Sequence, residues 1–286
     1  LSLIAFGMMA NLMNIATNTQ ACLVEKMYGR NIMSSFHGLW SLGGFSGGII
    51  GAVFANTLLP IEAHFATIIA MSLVIIAVGF RFLVDDATAK AEEEDVPKFS
   101  FRTIDPILFL LGLMGFAGMF CEGTVYDWSG VYFSSVVKPD EAFIRAGYVA
   151  GMGAMTLGRF LADGFVTKYG PARVLKVCGG LIVGGLWLAA ALPYLIPATF
   201  GFLLVGFGIS SSVPICYSIA GKLGTIKASI AITIVSSISF FGFLVGPPVI
   251  GWLAEVSGLR MAISIAACLG LMIAFVATKV SKRISI

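Results

Sequence analysis

Nine times along its 286 residues the chain runs for some twenty positions with almost no charge. The runs cover roughly 1–24, 34–58, 64–84, 105–133, 143–165, 172–192, 198–221, 228–253 and 259–280. A helix needs ~20 apolar residues to cross ~30 Å of hydrocarbon, so each run is long enough to span a bilayer. None alternates apolar and polar residues in the manner of a barrel strand. Helix is then the way left to satisfy the backbone's hydrogen bonds in lipid. Composition agrees. Hydrophobic residues make up 58% and charged residues 12%, against about 25% charged in an ordinary soluble domain, and mean hydropathy is +0.97. A water-soluble globule would lack the polar residues to cover so much oil. The sequence predicts an all-α membrane protein, a polytopic bundle of nine transmembrane helices.

Loop charge sets the orientation. One set of alternate ends holds Lys26 and Arg30; Arg81, Lys90, Lys98 and Arg102; Arg159, Lys168, Arg173 and Lys176; Lys222 and Lys227; and Lys279, Lys282 and Arg283, fifteen of the 18 basic residues. The other side has Lys138, Arg145 and Arg260. Positive loops stay in the cytoplasm, which puts the C-terminus inside and Leu1 outside. Leu1 already lies in an apolar run with no charged flank, so the sequence predicts that residues preceding it are absent from this chain. The one long polar segment, DDATAKAEEEDVPKFSFRTID, begins at residue 85 and separates three runs from six. The expected domains are therefore 1–84, the remainder of an N-terminal helical bundle; 85–104, a cytoplasmic linker; and 105–286, a C-terminal six-helix bundle. Three helices followed by six suggest a six-plus-six transporter without its first three. GGFSGGIIGAVFA (43–55) and FGFLVGPPVIGWLA (241–254) place glycines alike in the second helix of a three-helix unit, the repeat from which transporters are commonly built.

Several classes of chemistry find no support. The five cysteines, Cys22, Cys121, Cys178, Cys216 and Cys268, are scattered through apolar runs without CxxC spacing, so they read as buried gap fillers. No metal is expected, and no cofactor. The glycines sit mid-helix rather than after a strand, so no phosphate loop or dinucleotide fingerprint is present. The net charge of +3 is spent on topology, and no nucleic-acid partner is expected.

One short charged stretch interrupts the oil: GRFLADGFVTKYGPARVL, residues 158–175. It reads as a cytoplasmic hairpin carrying Arg159, Asp163, Lys168 and Arg173, punctuated by Gly158, Gly170 and Pro171. It resembles the loop signature of the major facilitator superfamily, G-x-L-a-D-R-x-G-R-K. Aligned on Gly170, Thr167 stands where the signature has Asp and Lys168 takes the following basic position, while Asp163 lies one helical turn earlier. Sugar-permease-like branches are similar to this shifted form. NTQACLVEKMYGRNIMSSFHGLWSLGG (18–44) resembles the turn from the fourth to the fifth helix of fucose-permease-like bacterial transporters, and EGTVYDWSGVYF (122–133) the end of their seventh. By this resemblance the chain runs from the fourth to the twelfth helix of a twelve-helix fold. It also implies that Gly158, Arg159, Asp163, Lys168, Gly170 and Arg173 form a cytoplasmic latch between bundles, with Asp163 foremost. The other reading is a static topology anchor.

Polar groups at membrane depth usually face a bundle interior or a cavity. Glu122 follows a long apolar stretch. With Tyr126 and Asp127 it can present a carboxylate and a phenol to a central cavity, as a proton carrier or as a structural ion pair; Asp127, nearer the outer face, is equally a gate. Asn11, Asn14 and Asn18 share one helical face, suited to hydroxyl-rich solutes or to interhelical bonding. Where fucose permeases tend to carry a carboxylate in this region, this chain has Asn14. Glu25, Arg30 and His37 read as a network stabilising the first cytoplasmic turn. Trp40 and Ser41 are placed to line a cavity, whereas Trp128 and Tyr132 read as interface-belt aromatics. GISSSVPICYS (208–218) and the GPP at 246–248 introduce prolines that kink helices, as hinges or as packing bends.

The function expected from these residues and this resemblance is secondary active transport of a small polar, sugar-like solute, proton-coupled, by alternating access. Drug or metabolite efflux on the same fold is the alternative, and an integral membrane enzyme or sensor the alternative of another class. Against an enzyme, no Ser/His/Asp set or HExxH pair appears. The expected partners are the lipid bilayer, the solute and protons; the expected working unit is a full-length monomer in the bacterial inner membrane.

Overall fold

The computed structural model describes residues 2–55, 60–84 and 104–281. The expected linker, 85–104, lies outside the described residues apart from Ile104. Among the described residues no strand occurs, and nine helical rods follow one another. They are α1 (Ser2–Tyr28), α2 (Met33–Ala55), α3 (Ile61–Gly79, continued by a 3-10 turn at Phe80–Phe82), α4 (Pro106–Tyr132, continued by a π turn at Phe133–Val137), α5 (Ala146–Tyr169) and α6 (Pro171–Ala191). Then come α7 (Leu195–Ser210) and α8 (Ser212–Lys222), one rod interrupted at Ser211; α9 (Ala228–Ser257); and α10 (Leu259–Ala266) with α11 (Cys268–Val280), the last rod. Among the described residues, six of these are long and apolar enough to cross a membrane by length and composition. The other three, α1, α2 and α5, carry the three asparagines, His37 and the Arg159–Asp163 pair. These polar residues have a use, described below.

Local chemistry sets the ends. Asp105 caps α4, its Oδ1 accepting the Ile107 amide at 2.9 Å, and Pro106 occupies the first turn, where a missing amide costs nothing. The stretch 158–175 is not the expected hairpin. Helix α5 continues to Tyr169, Gly170 alone makes the turn at φ +80°, and Pro171 starts α6. At the far end of α6, Arg260 donates to the carbonyls of Ala190 and, at 3.0 Å, Ala191, filling acceptors that a helix terminus leaves open. Tyr132 donates to the Ala189 carbonyl at 2.8 Å, and Trp128 Nε1 to the Pro247 carbonyl at 3.1 Å. Tyr132 is not the interface-belt residue expected: it is fully buried, with its hydroxyl bonded inside the bundle. Helix α9 runs unbroken through Pro247 and Pro248.

The six C-terminal rods form a dense unit. Helix α4 lies along α9, α5 and α6 flank α7, and α11 packs on α6, around Leu108, Leu111, Met114, Ile182, Leu186, Phe202 and Val205. Two crossings bring backbones together. A methyl group on Gly185 would overlap the Gly201 carbonyl, and one on Gly179 the Gly270 carbonyl; small residues permit this close approach between helices in lipid. Cys22, Cys121, Cys178 and Cys216 are buried fillers, but Cys268 is exposed, contrary to the expectation for all five. The N-terminal rods meet this unit differently. In α1 the buried residues run from Asn18 to Glu25, residues 2–13 are exposed, and α3 buries no residue. The seam between the two groups is thus made by the C-terminal half of α1 and the start of α2.

Candidate functional site

Two polar layers lie along that seam. The deeper one centres on Arg159, ten residues before the end of α5 and therefore about 15 Å from it at ~1.5 Å per residue. Arg159 is 5% exposed. Its guanidinium donates to the Ser41 hydroxyl and, at 3.5 Å, to the His37 carbonyl, both on α2; it faces both oxygens of Glu122 on α4 at 3.5 Å. His37 Nε2 meets Asn18 Oδ1 at 3.2 Å, and the Asn18 amide donates to the Asn14 carbonyl at 2.9 Å and to Asn14 Oδ1 at 3.2 Å. The His37 ring stands edge-on to Tyr217 of α8, with centroids 5.8 Å apart. Side chains from α1, α2, α4, α5 and α8 converge here. The arginine and the carboxylate compensate one another, so the layer carries no net charge into the apolar interior.

The second layer lies nearer the C-terminal end of α5 and is organised by the start of α2. A helix begins with four amides that have no partner in the helix. Here two carboxylates take them. Glu25 Oε2 accepts Ile32 N at 2.8 Å and Met33 N at 2.7 Å; Asp163 accepts Ser34 N at 3.0 Å, Ser35 N at 2.8 Å and the Ser35 hydroxyl at 2.5 Å. Glu25 belongs to α1, in the same group of rods as α2, whereas Asp163 reaches across from α5. Their negative charge also complements the positive end of the α2 dipole. Glu25 is clasped in turn from α8 by the Ser218 hydroxyl and by Lys222, whose Nζ lies 2.5 Å from Oε1. Asn31 ties the turn to both sides, donating to Thr167 Oγ1 and accepting from Lys222, each at 3.3 Å. A cavity of about 810 Å³ opens beneath, lined by Glu25, Asn31, Asp163, Thr167, Ser218 and Lys222 among others.

The expected site residues therefore divide. Arg159 is no loop residue: it lies one helical turn deeper than Asp163 and pairs with Glu122, because residues four apart share a face but stand about 6 Å apart along the axis. Lys168 lies over the Tyr169 ring at 5.1 Å, Arg173 is exposed, and Gly158 packs under Ser210 and Phe207. Gly170 serves the turn alone. His37 leaves the expected network with Glu25 and Arg30 for Asn18 and Tyr217, and Arg30 is exposed. Ser41 is in the deeper layer, but its neighbour Trp40 is 66% exposed, about a quarter-turn away on the helix. Asn14 and Asn18 join; Asn11 is exposed. Tyr126 and Asp127 line an outer cavity of about 510 Å³ with Arg145 and Tyr148. Sequence reasoning missed Ser34, Ser35, Asn31, Tyr217, Ser218 and Lys222. Tyr217 and Ser218 do fall in GISSSVPICYS, where the proline drew the attention, and Ser34–Ser35 has the look of an ordinary helix start. Among the described residues no group of His, Cys, Asp and Glu is arranged to hold a metal ion.

Comparison with known proteins agrees with this architecture. The sequence profile of the Major Facilitator Superfamily matches residues 1–226. An uncharacterized MFS-type transporter of Yersinia pestis is 33% identical over 286 residues, covering 99% of this chain and 72% of that protein. The uncharacterized transporter y4wD of Sinorhizobium fredii is 33% identical over 280 residues, covering 97% and 73%. Membrane protein MosC of Rhizobium meliloti is 28% identical over 281 residues, covering 96% and 66%. Among solved structures, a variant of the E. coli fucose:proton symporter FucP superposes with a TM-score of 0.53 at 17% identity, over 68% of this chain and 45% of that one. A variant of the peptide transporter POT, in complex with alafosfalin, gives 0.53 at 22%, over 70% and 43%. The superposed part thus covers less than half of each of these two structures, and they speak to the fold alone. With a multi-pass helical bundle, a two-group seam and a family profile over most of its length, the chain belongs to the Major Facilitator Superfamily of membrane transporters.

Proposed function

We propose that this chain is the larger part of a proton-coupled secondary transporter for a small, polar, sugar-like solute, working as a monomer in the bacterial inner membrane by alternating access. The observation that carries the reading is the deeper layer. A charge-balanced Arg159–Glu122 pair meets Ser41, His37, Asn18 and Asn14 where the two groups of rods touch. Amide and hydroxyl groups in that neutral setting suit an uncharged solute, and the FucP relative in fold is titled a fucose:proton symporter. Glu122 is the proton carrier. Among the described residues it faces the Arg159 guanidinium at 3.5 Å, longer than a strong charge-assisted contact, and a proton on Glu122 releases Arg159 from this pairing. The second layer is the cytoplasmic gate: Asp163 and the Glu25–Lys222 clasp hold the cytoplasmic side shut, and opening exchanges these contacts for water. Arg159 serves solute and coupling rather than the latch.

The test is uptake of labelled monosaccharide into proteoliposomes carrying the full-length protein, with and without a pH gradient. Accumulation driven by the gradient is expected in wild type. Glu122→Gln abolishes accumulation but retains counterflow exchange, since the neutral amide fixes the protonated form. Gradient-driven accumulation by the variant at the wild-type level removes Glu122 from the mechanism.

A further inference from the structure

A second cavity lies away from both polar layers, at the opposite end of α4 and α5 from Asp163, the end expected from loop charge to face outside. It measures about 510 Å³ and is lined by Tyr126, Asp127, Ser134, Ile144, Arg145 and Tyr148 among others. That volume falls within the ~300–1,000 Å³ of small-molecule sites. The way α4 ends builds one wall. Past Tyr132 the helix widens into its π turn, closed by the Lys138 amide donating to the Phe133 carbonyl at 2.8 Å, and Ser134 sits on that turn. A 3-10 turn at Glu141–Phe143 leads back to Arg145, where α5 begins.

The lining offers aromatic surface and two opposite charges. Tyr126 and Tyr148 stand edge-to-face with ring centroids 5.9 Å apart, and Phe243 of α9 backs Tyr126 at 6.2 Å. The two tyrosines are still 42% and 38% exposed, so ring surface is left uncovered. Asp127 and Arg145 are exposed as well, and among the described residues neither has an ion-pair partner. The serines contribute less, because Ser129 and Ser134 give their hydroxyl protons to the Val125 and Val131 carbonyls. The cavity is also aligned with the deeper layer. Tyr126 lies four residues beyond Glu122 on α4, and Tyr148 eleven residues before Arg159 on α5, close to three whole turns. Each tyrosine thus shares a helix face with one member of the Arg159–Glu122 pair.

We propose that this outer cavity is a second binding site for the transported sugar, occupied on the way to the deeper layer. This rests on the reading of the deeper layer as a site for an uncharged, hydroxyl-rich solute. The tyrosine faces take the C–H side of the sugar ring, Asp127 accepts from its hydroxyls and Arg145 donates to them. A simple ion suits the place poorly, since it gains one partner and meets one like charge. A zwitterion matches both charges, but the deeper layer has no unpaired charge for either of its ends. A neutral polyol is the ligand that both places accept.

The test reads occupancy at the cavity itself. In full-length protein with exposed Cys268 replaced by Ser, the added thiol of Ser134→Cys is alkylated by N-ethylmaleimide with and without L-fucose, D-galactose or D-xylose. At least one sugar is expected to slow the reaction fivefold or more, roughly, at saturation, while Ser135→Cys, beside the cavity but not on its wall, reacts at a constant rate. Asp127→Asn and Arg145→Gln should each raise the half-protecting concentration about tenfold, the order expected for one charge-assisted hydrogen bond. Asn14→Ala, in the deeper layer, should leave it unchanged. Protection that Asn14→Ala weakens as much as Asp127→Asn does arises in the deeper layer and overturns the proposal. Equal protection of Ser135→Cys marks a change of shape rather than occupancy and overturns it too. So does a Ser134→Cys thiol that no sugar shields while gradient-driven sugar uptake persists, which leaves the transport reading standing. Neither shielding nor uptake with any of the sugars overturns both.

Discussion

Asp163→Asn keeps the shape of the side chain at the seam and removes its charge and one of the bonds that hold it there. The carboxylate accepts Ser34 N at 3.0 Å, Ser35 N at 2.8 Å and the Ser35 hydroxyl at 2.5 Å. An amide oxygen can keep the two Ser35 contacts. Its NH₂ then faces the Ser34 amide donor to donor, so one charge-assisted bond of about 1.5–3 kcal/mol is lost. The missing charge at the α2 terminus costs a further 0.3–1 kcal/mol or so. Water entering at the seam recovers part of this, leaving a net loss of about 2 kcal/mol for the closed arrangement, or roughly 30-fold in the closed-to-open ratio. Cys22 reports the ratio. It is fully buried, with Sγ 3.6 Å from the Tyr217 carbonyl across the same seam, and it becomes reactive only when the seam parts. With exposed Cys268 replaced by Ser, and Cys121, Cys178 and Cys216 buried in the C-terminal unit, N-ethylmaleimide alkylation of Cys22 should run about 30-fold faster in the variant. An unchanged rate in a normally folded Asp163→Asn protein refutes the account of the seam.

The same thiol ranks the second clasp. Lys222 is a third exposed, so its pair with Glu25 is discounted for screening to under about 1 kcal/mol, and Lys222→Ala should speed Cys22 labelling only a few-fold. Glu25→Gln should act more strongly, because an amide NH₂ is brought against Lys222 and Ser218; labelling no faster than in Lys222→Ala would contradict this. In the C-terminal unit, Gly185→Ala forces a methyl group onto the Gly201 carbonyl and should lower thermal stability by about 1–3 kcal/mol. Gly184→Ala, which meets open space, should melt as wild type does; equal melting of the two variants would show that the crossing is looser than described.

The helical class was legible because lipid leaves the backbone few choices, and uninterrupted apolar runs reveal it. The seam was half legible. Asp163 announced itself as a carboxylate in an unusual place, and the likeness of its loop to a known signature gave it a role. What it touches could not be read, since the start of α2 lies 128 residues away and two of the donors it accepts from are backbone amides, which any sequence supplies. Arg159 was misplaced for a related reason. A run of charged residues reads as a loop until the helix is seen to continue through it to Tyr169. His37 went astray because proximity in sequence to Glu25 and Arg30 suggested a local network, while the helix turned its ring toward Asn18 and Tyr217. Tyr217 carries no signal of its own: in an apolar run a tyrosine looks like packing.

Arg159 and Asp163 ride on one helix, a single turn apart, and that spacing has a thermodynamic result. A stiff segment cannot shift at one of these residues without shifting at the other. If the arginine takes part in holding a solute, as proposed, then by whatever amount a bound solute changes the grip of the aspartate on the opposing amides, that grip changes the affinity for the solute by the same amount. Cargo and doorway are therefore weighed on one beam, and occupancy at the first sets how readily the second swings.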